Sequence, residues 1–88
     1  MHFFNPVPLM ALVEVISGLA TSKEVAATVY DTSIAWGKMP VHAKSTPGFI
    51  VNRVARPFYA EGWRLLNEQA GDAATIDAVL REAGGFRM

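Results

Sequence analysis

The first histidine and the first glutamate of the chain are spaced so that they could form a proton-transfer pair. His2 lies in a short apolar run, and a turn containing Pro6 and Pro8 separates it from a second apolar run that carries Glu14. If the two runs pair as a β-hairpin, His2 and Glu14 come close together across it. A carboxylate among Leu and Ile is costly to bury unless it has a partner, and a histidine is a suitable one. We therefore predict a hydrogen-bonded dyad, the usual general acid/base unit.

The same residues have a simpler interpretation. Glu14 could be a surface residue on an edge strand, and His2 could belong to a frayed N-terminus. The second histidine, His42, lies beside Lys44 in a predicted strand, and we interpret it as a solvated strand residue. Because the chain has two histidines and no cysteine, we expect no metal site.

Two longer motifs contain or follow these residues. The first is His-Phe-Phe-Asn-Pro-Val-Pro-Leu-Met with Leu-Val-Glu-Val-Ile, within residues 2–16, and the second is Thr-Pro-Gly-Phe-Ile-Val-Asn-Arg at 46–53. Both resemble the L-3-hydroxyacyl-CoA dehydrogenase family, in the family's order and spacing. The similarity continues through Ile76-Asp77 to Gly85-Phe86, so it covers essentially the whole chain.

The resemblance implies a role for four residues. His2 matches the catalytic histidine, which takes the proton of the 3-hydroxyl as hydride passes to NAD, and Glu14 matches the acid that orients it. Asn5 matches a cofactor-binding asparagine near the nicotinamide, and Asn52 matches one that binds the substrate near its thioester or reacting oxygen. The implied reaction is NAD-dependent oxidation of 3-hydroxyacyl-CoA to 3-oxoacyl-CoA.

Local patterns in the first half predict a strand, a helix and a second strand. Val13, Val15 and Ile16 are strand formers, and alternation places Leu12, Glu14 and Ile16 on one face. The spacing of Thr21 to Glu24 is that of a capping box, and it predicts a helix to about Trp36, ended by Gly37. Its apolar stripe is Val25, Val29, Thr32 or Ser33, and Trp36. A strand over 39–44 would then complete half of a parallel α/β unit.

The second half has a helical pattern throughout. The run Ser45-Thr46-Pro47-Gly48 marks a boundary, since proline disfavours a helical conformation before it. A long helix to about Ala70 follows, which Pro57 should kink or locally loosen. Its single apolar stripe is made of Val51, Val54, Ala55, Phe58, Leu65 and Leu66. Asp72 is predicted to cap a short helix with Ile76, Val79, Leu80 and Ala83 on its apolar face, ended by Gly84-Gly85.

The resemblance implies the fold class and the domain organisation. Residues 1–45 would be the C-terminal part of a Rossmann-type NAD-binding domain, hence α/β. Residues 46–88 would be all-α, the N-terminal part of a helical dimerisation and substrate domain similar to the C-terminal domain of 6-phosphogluconate dehydrogenase. The chain contains no Gly-x-Gly-x-x-Gly turn after a strand. We therefore expect that turn to precede Met1, further helices to follow Met88, and the segment alone to be inactive.

Composition bounds the partners. The net charge is zero, so the chain shows no basic face for nucleic acid. The absence of cysteine fits a cytoplasmic location. The apolar run over residues 9–20 is interrupted by Glu14 and too short to span a bilayer, and we interpret it as a strand.

Several alternatives stay open. Among family members, those acting on 3-hydroxyadipyl-CoA in phenylacetate breakdown resemble the run from Ser45 to Glu61 most, with 3-hydroxybutyryl-CoA as the rival substrate. Three arginines on the long helix, at 53, 56 and 64, could bind CoA phosphates or form a solvated face. Its aromatic residues Phe58, Tyr59 and Trp63 could pack in a core or line an acyl pocket. The chain could also be a non-catalytic helical module, and in either case we expect a homo-oligomer.

Overall fold

The chain folds as an α/β unit followed by a helical unit. The computed structural model describes residues 1–87; Met88, the last residue of the predicted helical domain, lies outside the described residues. The contacts divide the chain into two compact units, Met1–Arg53 and Val54–Met88. The predicted order of an α/β part and an all-α part is confirmed.

The first unit is built on a three-stranded sheet. Strand β1 (His2–Phe3) pairs antiparallel with β2 (Leu12–Ser17), and β2 pairs parallel with β3 (Met39–Lys44), so β2 is central. Both pairings were predicted. Alternation alone, however, predicts only one buried face for β2, whereas three consecutive residues in it, from Val13 to Val15, are buried.

Helix α1 (Lys23–Ala35) packs against β2 and β3. Two details of the predicted helix are wrong. Its N-cap is Ser22, whose hydroxyl accepts from the Val25 amide, while the hydroxyl of Thr21 accepts from the Gly18 amide. The predicted stripe is also incorrect at both ends, because Val25 and Trp36 are exposed and Ser33 is the fully buried residue of the helix.

The end of α1 is as predicted and leads directly into β3. Gly37 has a φ of +77°, a left-handed conformation that glycine adopts without steric cost. The ammonium group of the next residue, Lys38, donates hydrogen bonds to the carbonyl oxygens of Val7 and Met10. Lys38 therefore ties the turn between β1 and β2 to the start of β3.

The second unit consists of two helical segments. Helix α2 (Val51–Asn67) begins in the first unit and runs through Pro57 without interruption, but it ends three residues before the predicted Ala70. Helix α3 (Ala73–Ala78) is capped by the side chain of Asp72, as predicted, and continues as a π-helical turn over Val79–Ala83. Gly84 ends this turn, as predicted.

The apolar residues of the second unit are only partly covered. The Phe58 ring packs against the Phe86 ring, with centroids 4.9 Å apart. Val54, which belongs to the predicted stripe, is 73% exposed, and Trp63 is 67% exposed. The unit thus presents an open apolar groove, lined by Phe58, Tyr59, Gly62, Trp63, Leu66, Ala73, Ile76, Asp77 and Leu80.

Within residues 1–87, no helix is long and apolar enough to cross a membrane.

The cap of α1 gives a stability prediction. Replacing Ser22 by Ala removes the acceptor of the Val25 amide, and we expect the free energy of unfolding to fall by about 1 kcal/mol. The measurement is urea denaturation with an unchanged slope. Ser45→Ala is the matched control, because no hydrogen bond among the described residues uses the Ser45 hydroxyl. An equal loss in both variants would contradict the assignment of the cap.

Candidate functional site

The β1–β2 hairpin places His2 and Glu14 directly opposite each other. The Nδ1 atom of His2 lies 3.0 Å from Oε1 of Glu14. The predicted hydrogen bond is therefore present. It follows from the register of the two strands, because facing residues of an antiparallel pair bring their side chains to the same side of the sheet.

The second carboxylate oxygen of Glu14 accepts two backbone N–H groups from outside the hairpin. The amide of Ile50 donates to Oε2 at 2.7 Å and the amide of Val51 at 3.3 Å. Val51 is the first residue of α2 and Ile50 directly precedes it, and the amides at the start of a helix have no partner within that helix. Glu14, although on a strand, thus satisfies the N-terminus of α2, whose first turn has no acidic residue of its own.

A tight turn before α2 aims these two amides at Glu14. The Phe49 amide donates to the Thr46 carbonyl at 2.9 Å, and both Gly48 and Phe49 have positive φ, +74° and +48°. A Cβ atom at Gly48 would lie 2.7 Å from the backbone nitrogen of Arg53. Glycine is therefore required at position 48 both by its conformation and by the close approach of the backbone.

The environment of Glu14 keeps it ionised. The side chain is completely buried, and burial alone would raise its pKa. Hydrogen bonds from the Ile50 amide, the His2 ring and the Val51 amide outweigh that effect, and the pKa of Glu14 lies below its ordinary value of 4.5. The carboxylate is therefore a pure acceptor at neutral pH.

An ionised Glu14 determines which nitrogen of His2 carries the proton. Because the carboxylate can only accept, Nδ1 must donate, and Nε2 of the neutral ring keeps a free lone pair. The ring packs against Phe4 and Phe49, with centroids 5.0 and 5.5 Å away, and its side chain remains 34% exposed. The arrangement can accept a proton at Nε2 and stabilise the resulting imidazolium.

The other predicted site residues are not hydrogen-bonded to this pair in the described part of the chain. Asn5 is exposed in the turn after β1, and Asn52 is half-buried in the first turn of α2, directly after Val51. Within residues 1–87, no hydrogen bond joins either asparagine side chain to His2 or Glu14. Their cofactor and substrate roles stay predictions.

The remaining histidine and the arginines behave as ordinary surface residues. His42 is exposed on β3 and stacks on the Tyr30 ring at 4.7 Å. Arg53 and Arg56 are exposed, and Arg64 contacts Glu61 at 3.3 Å. In the described part of the chain, no three His, Asp or Glu side chains are grouped as metal ligands.

Sequence reasoning missed the contribution of the turn. Gly48 was noted only as part of the boundary run 45–48, and the amides of Ile50 and Val51 were not considered. A signal was present, since a helix that starts without an acidic residue or a side-chain cap needs acceptors from elsewhere. That the acceptor would be Glu14, at a separation of 36 residues, is a tertiary fact.

Comparison with protein families agrees with this geometry. Residues 1–46 match the NAD binding domain of 3-hydroxyacyl-CoA dehydrogenase, and residues 48–88 match its C-terminal domain. The chain belongs to the 3-hydroxyacyl-CoA dehydrogenase family. The family predicted from the two motifs is therefore confirmed.

Individual relatives agree with the family match. The 3-hydroxyadipyl-CoA dehydrogenase of Escherichia coli is 58% identical over 88 residues, which are 100% of this chain and 18% of that protein. The human mitochondrial hydroxyacyl-coenzyme A dehydrogenase is 44% identical over 88 residues, again 100% of this chain and 28% of that protein. The chain thus spans less than a third of the length of these relatives.

Solved structures of family members have the same fold. A crystal structure of 3-hydroxybutyryl-CoA dehydrogenase from E. coli aligns with a TM-score of 0.88 and 59% identity, over 92% of this chain and 17% of that one. The (S)-3-hydroxybutyryl-CoA dehydrogenase of Ralstonia eutropha aligns with a TM-score of 0.95 and 42% identity, over 99% of this chain and 31% of that one.

NAD is the cofactor of the family's N-terminal domain, and this chain offers groups for one end of it. His2, with a free Nε2, and the exposed amide of Asn5 suit the reacting end, where a proton acceptor and a neutral hydrogen-bonding group are needed. The glycine-rich turn that would hold the pyrophosphate is not among the 88 residues. The predicted roles of His2 and Asn5 therefore concern the nicotinamide end alone.

The lowered pKa of Glu14 predicts how stability depends on pH. A carboxyl group with a depressed folded-state pKa adds stability that is present above its unfolded-state pKa and lost as pH falls through the folded-state pKa. We expect the free energy of unfolding to decrease as pH falls below about 4.5.

Glu14→Gln isolates this contribution. The amide keeps the shape and one acceptor oxygen but removes the negative charge to which the three donors bind, which costs on the order of 2 kcal/mol near neutral pH. The difference between the two proteins should shrink as pH falls, as urea denaturation across pH will show. A constant difference at every pH would contradict an ionised, stabilising Glu14.

Proposed function

We propose that this chain is a segment of an NAD-dependent L-3-hydroxyacyl-CoA dehydrogenase, which oxidises 3-hydroxyacyl-CoA to 3-oxoacyl-CoA. The observation that supports it is the buried hydrogen bond from His2 Nδ1 to Glu14, which leaves Nε2 free beside a partly exposed surface. The family match supports a catalytic role for this pair.

In the proposed reaction, the C3 carbon loses a hydride and its hydroxyl loses a proton. NAD, when bound, accepts the hydride. Nε2 of His2 accepts the proton, and the developing imidazolium is stabilised by the carboxylate at Nδ1. Glu14 stays ionised throughout because three donors hold it, so the proton remains on His2 until solvent removes it.

The two asparagines complete the proposed site. Asn5 follows β1 by two residues and would contact the cofactor near the nicotinamide. Asn52 directly follows an amide that holds Glu14, so the first turn of α2 would place a substrate-binding amide near the dyad. A neutral amide can donate to a carbonyl oxygen without changing charge during the reaction.

The substrate is proposed as 3-hydroxyadipyl-CoA, in phenylacetate breakdown, with 3-hydroxybutyryl-CoA as the rival. The 58% identical E. coli relative is named for the first compound, and the similar crystal structures are named for the second. The free carboxylate of a 3-hydroxyadipyl group would need a cationic partner, and the exposed Arg53 is a candidate for it or for CoA phosphates.

Replacing His2 tests the reaction. In a protein that joins this segment to a complete NAD-binding domain and helical domain, His2→Gln should lower kcat at least about a hundredfold, because no general base remains. Gln can still donate to Glu14, so NAD binding should be unchanged in calorimetry. His42→Gln is the control, since His42 stacks on Tyr30 outside the dyad. Near-normal kcat in His2→Gln would rule out the assignment.

We also propose that the chain is cytoplasmic and associates with copies of itself. Self-association is supported by the open apolar groove of the second unit, where Trp63 is 67% and Tyr59 50% exposed. Contiguous exposed apolar surface of this kind favours association. In the alternative hypothesis, the chain is a non-catalytic helical module that associates through the same groove.

Light scattering tests the self-association. We expect a mass of at least two chains for the unmodified protein, and a shift towards one chain in Trp63→Gln, because burial of the indole ring is lost. Glu68→Gln, an exposed change outside the groove, is the control and should keep the larger mass. A monomeric mass for the unmodified chain at every concentration would refute the proposal.

A further inference from the structure

We propose that the turn Thr46–Val51 is a positioning element for the dyad: its two amides occupy one oxygen of Glu14, so that the other is held for His2 Nδ1. This inference rests on the proposed function, because it concerns the same pair. It assigns a role to backbone groups and to Gly48 that neither the motifs nor the comparisons assign.

The two carboxylate oxygens of Glu14 accept from different donors. Oε1 receives the His2 ring at 3.0 Å, and Oε2 receives the Ile50 amide at 2.7 Å and the Val51 amide at 3.3 Å. A free carboxylate can rotate and exchange its oxygens. Two donors fixed to one oxygen restrict that rotation, and the plane of the carboxylate then sets the plane of the imidazole.

The turn also stabilises the negative charge of Glu14. Backbone amides at a helix N-terminus stabilise a negative charge, and they cannot be titrated away. His2 is the titratable group within hydrogen-bond distance of Glu14 in the described residues, and the neighbours across the sheet and in the turn are apolar or backbone. Without the amides, the buried carboxylate would have one donor instead of three.

The turn requires glycine at position 48. Gly48 has a φ of +74°, and an added Cβ would lie 2.7 Å from the Arg53 backbone nitrogen, so the backbone itself would have to move. Gly37 offers a matched control in the same unit. Its φ is +77°, yet an added Cβ would meet nothing within 4 Å, so Gly37→Ala carries the conformational cost without the clash.

The experiment is nuclear magnetic resonance of the 88-residue chain, with the amide protons of Ile50 and Val51 and the ring nitrogens of His2 as reporters. In the unmodified chain, both amide protons should shift together in an acid titration that is absent from Glu14→Gln. In His2→Gln, any additional titration step that His2 itself causes should disappear, so the two contributions can be distinguished. The ring nitrogen shifts should show the tautomer protonated at Nδ1.

Gly48→Ala should change the result at the dyad, and Gly37→Ala should not. In Gly48→Ala, we expect the two amide protons to lose the Glu14 titration and the ring to lose its preference for Nδ1–H. A folded Gly48→Ala chain that keeps the tautomer would overturn the proposal. If that variant does not fold, the unmodified chain still decides, because the absence of the Glu14 titration at both amides refutes the proposal.

The experiment distinguishes a failure of this inference from a failure of the proposed function. Loss of turnover in His2→Gln with no Glu14 titration at the two amides would leave the enzyme assignment intact and remove the role of the turn. Normal turnover in His2→Gln with a clear Glu14 titration at the two amides would remove the enzyme assignment and leave the role of the turn intact.

Discussion

The buried charge of Glu14 constrains how the parts of the first unit pack together. Glu14 is completely buried on the central strand, and an ionised carboxylate in such a place is strongly unfavourable unless donors surround it. Its three donors come from two separate parts of the chain, the ring of His2 and the amides of Ile50 and Val51. The short strand β1 and the turn before α2 must therefore both meet β2 for the charge to be tolerated.

This requirement explains how the chain divides. The predicted domain boundary falls at residues 45 and 46, and it stays a prediction. The compact units separate later, between Arg53 and Val54. Residues 46–53 remain with the first unit, since their amides bind Glu14 and the Gly48 carbonyl accepts from Arg53. The start of α2 thus belongs to the sheet by its hydrogen bonds, although its sequence pattern is continuous with the helix that follows.

Much of the fold was predictable where local patterns and tertiary demands agree. The hairpin, the parallel strand and the cap at Asp72 are present because alternation, turn residues and a carboxylate before a helix each have one favourable outcome. The cap of α1 was not predictable in the same way. Thr21 and Ser22 are both good caps, and Thr21 is engaged by the Gly18 amide, which leaves Ser22 for the helix. Periodicity also did not predict that Val25, Val54 and Trp36 are exposed. It locates the apolar face of a helix but does not show what covers that face.

The dual attachment of Glu14 affects how its substitution can be interpreted. Removing the carboxylate would break the contact with His2 and leave the first amides of α2 without their acceptor. A loss of activity after such a change would combine an altered base with an altered start of α2. His2 provides only one of the three bonds and lies on an outer strand, so its substitution leaves the amide contacts in place. The proton-transfer role can therefore be tested at His2 alone. The role of the turn can be tested at Gly48, where the carboxylate itself is unchanged.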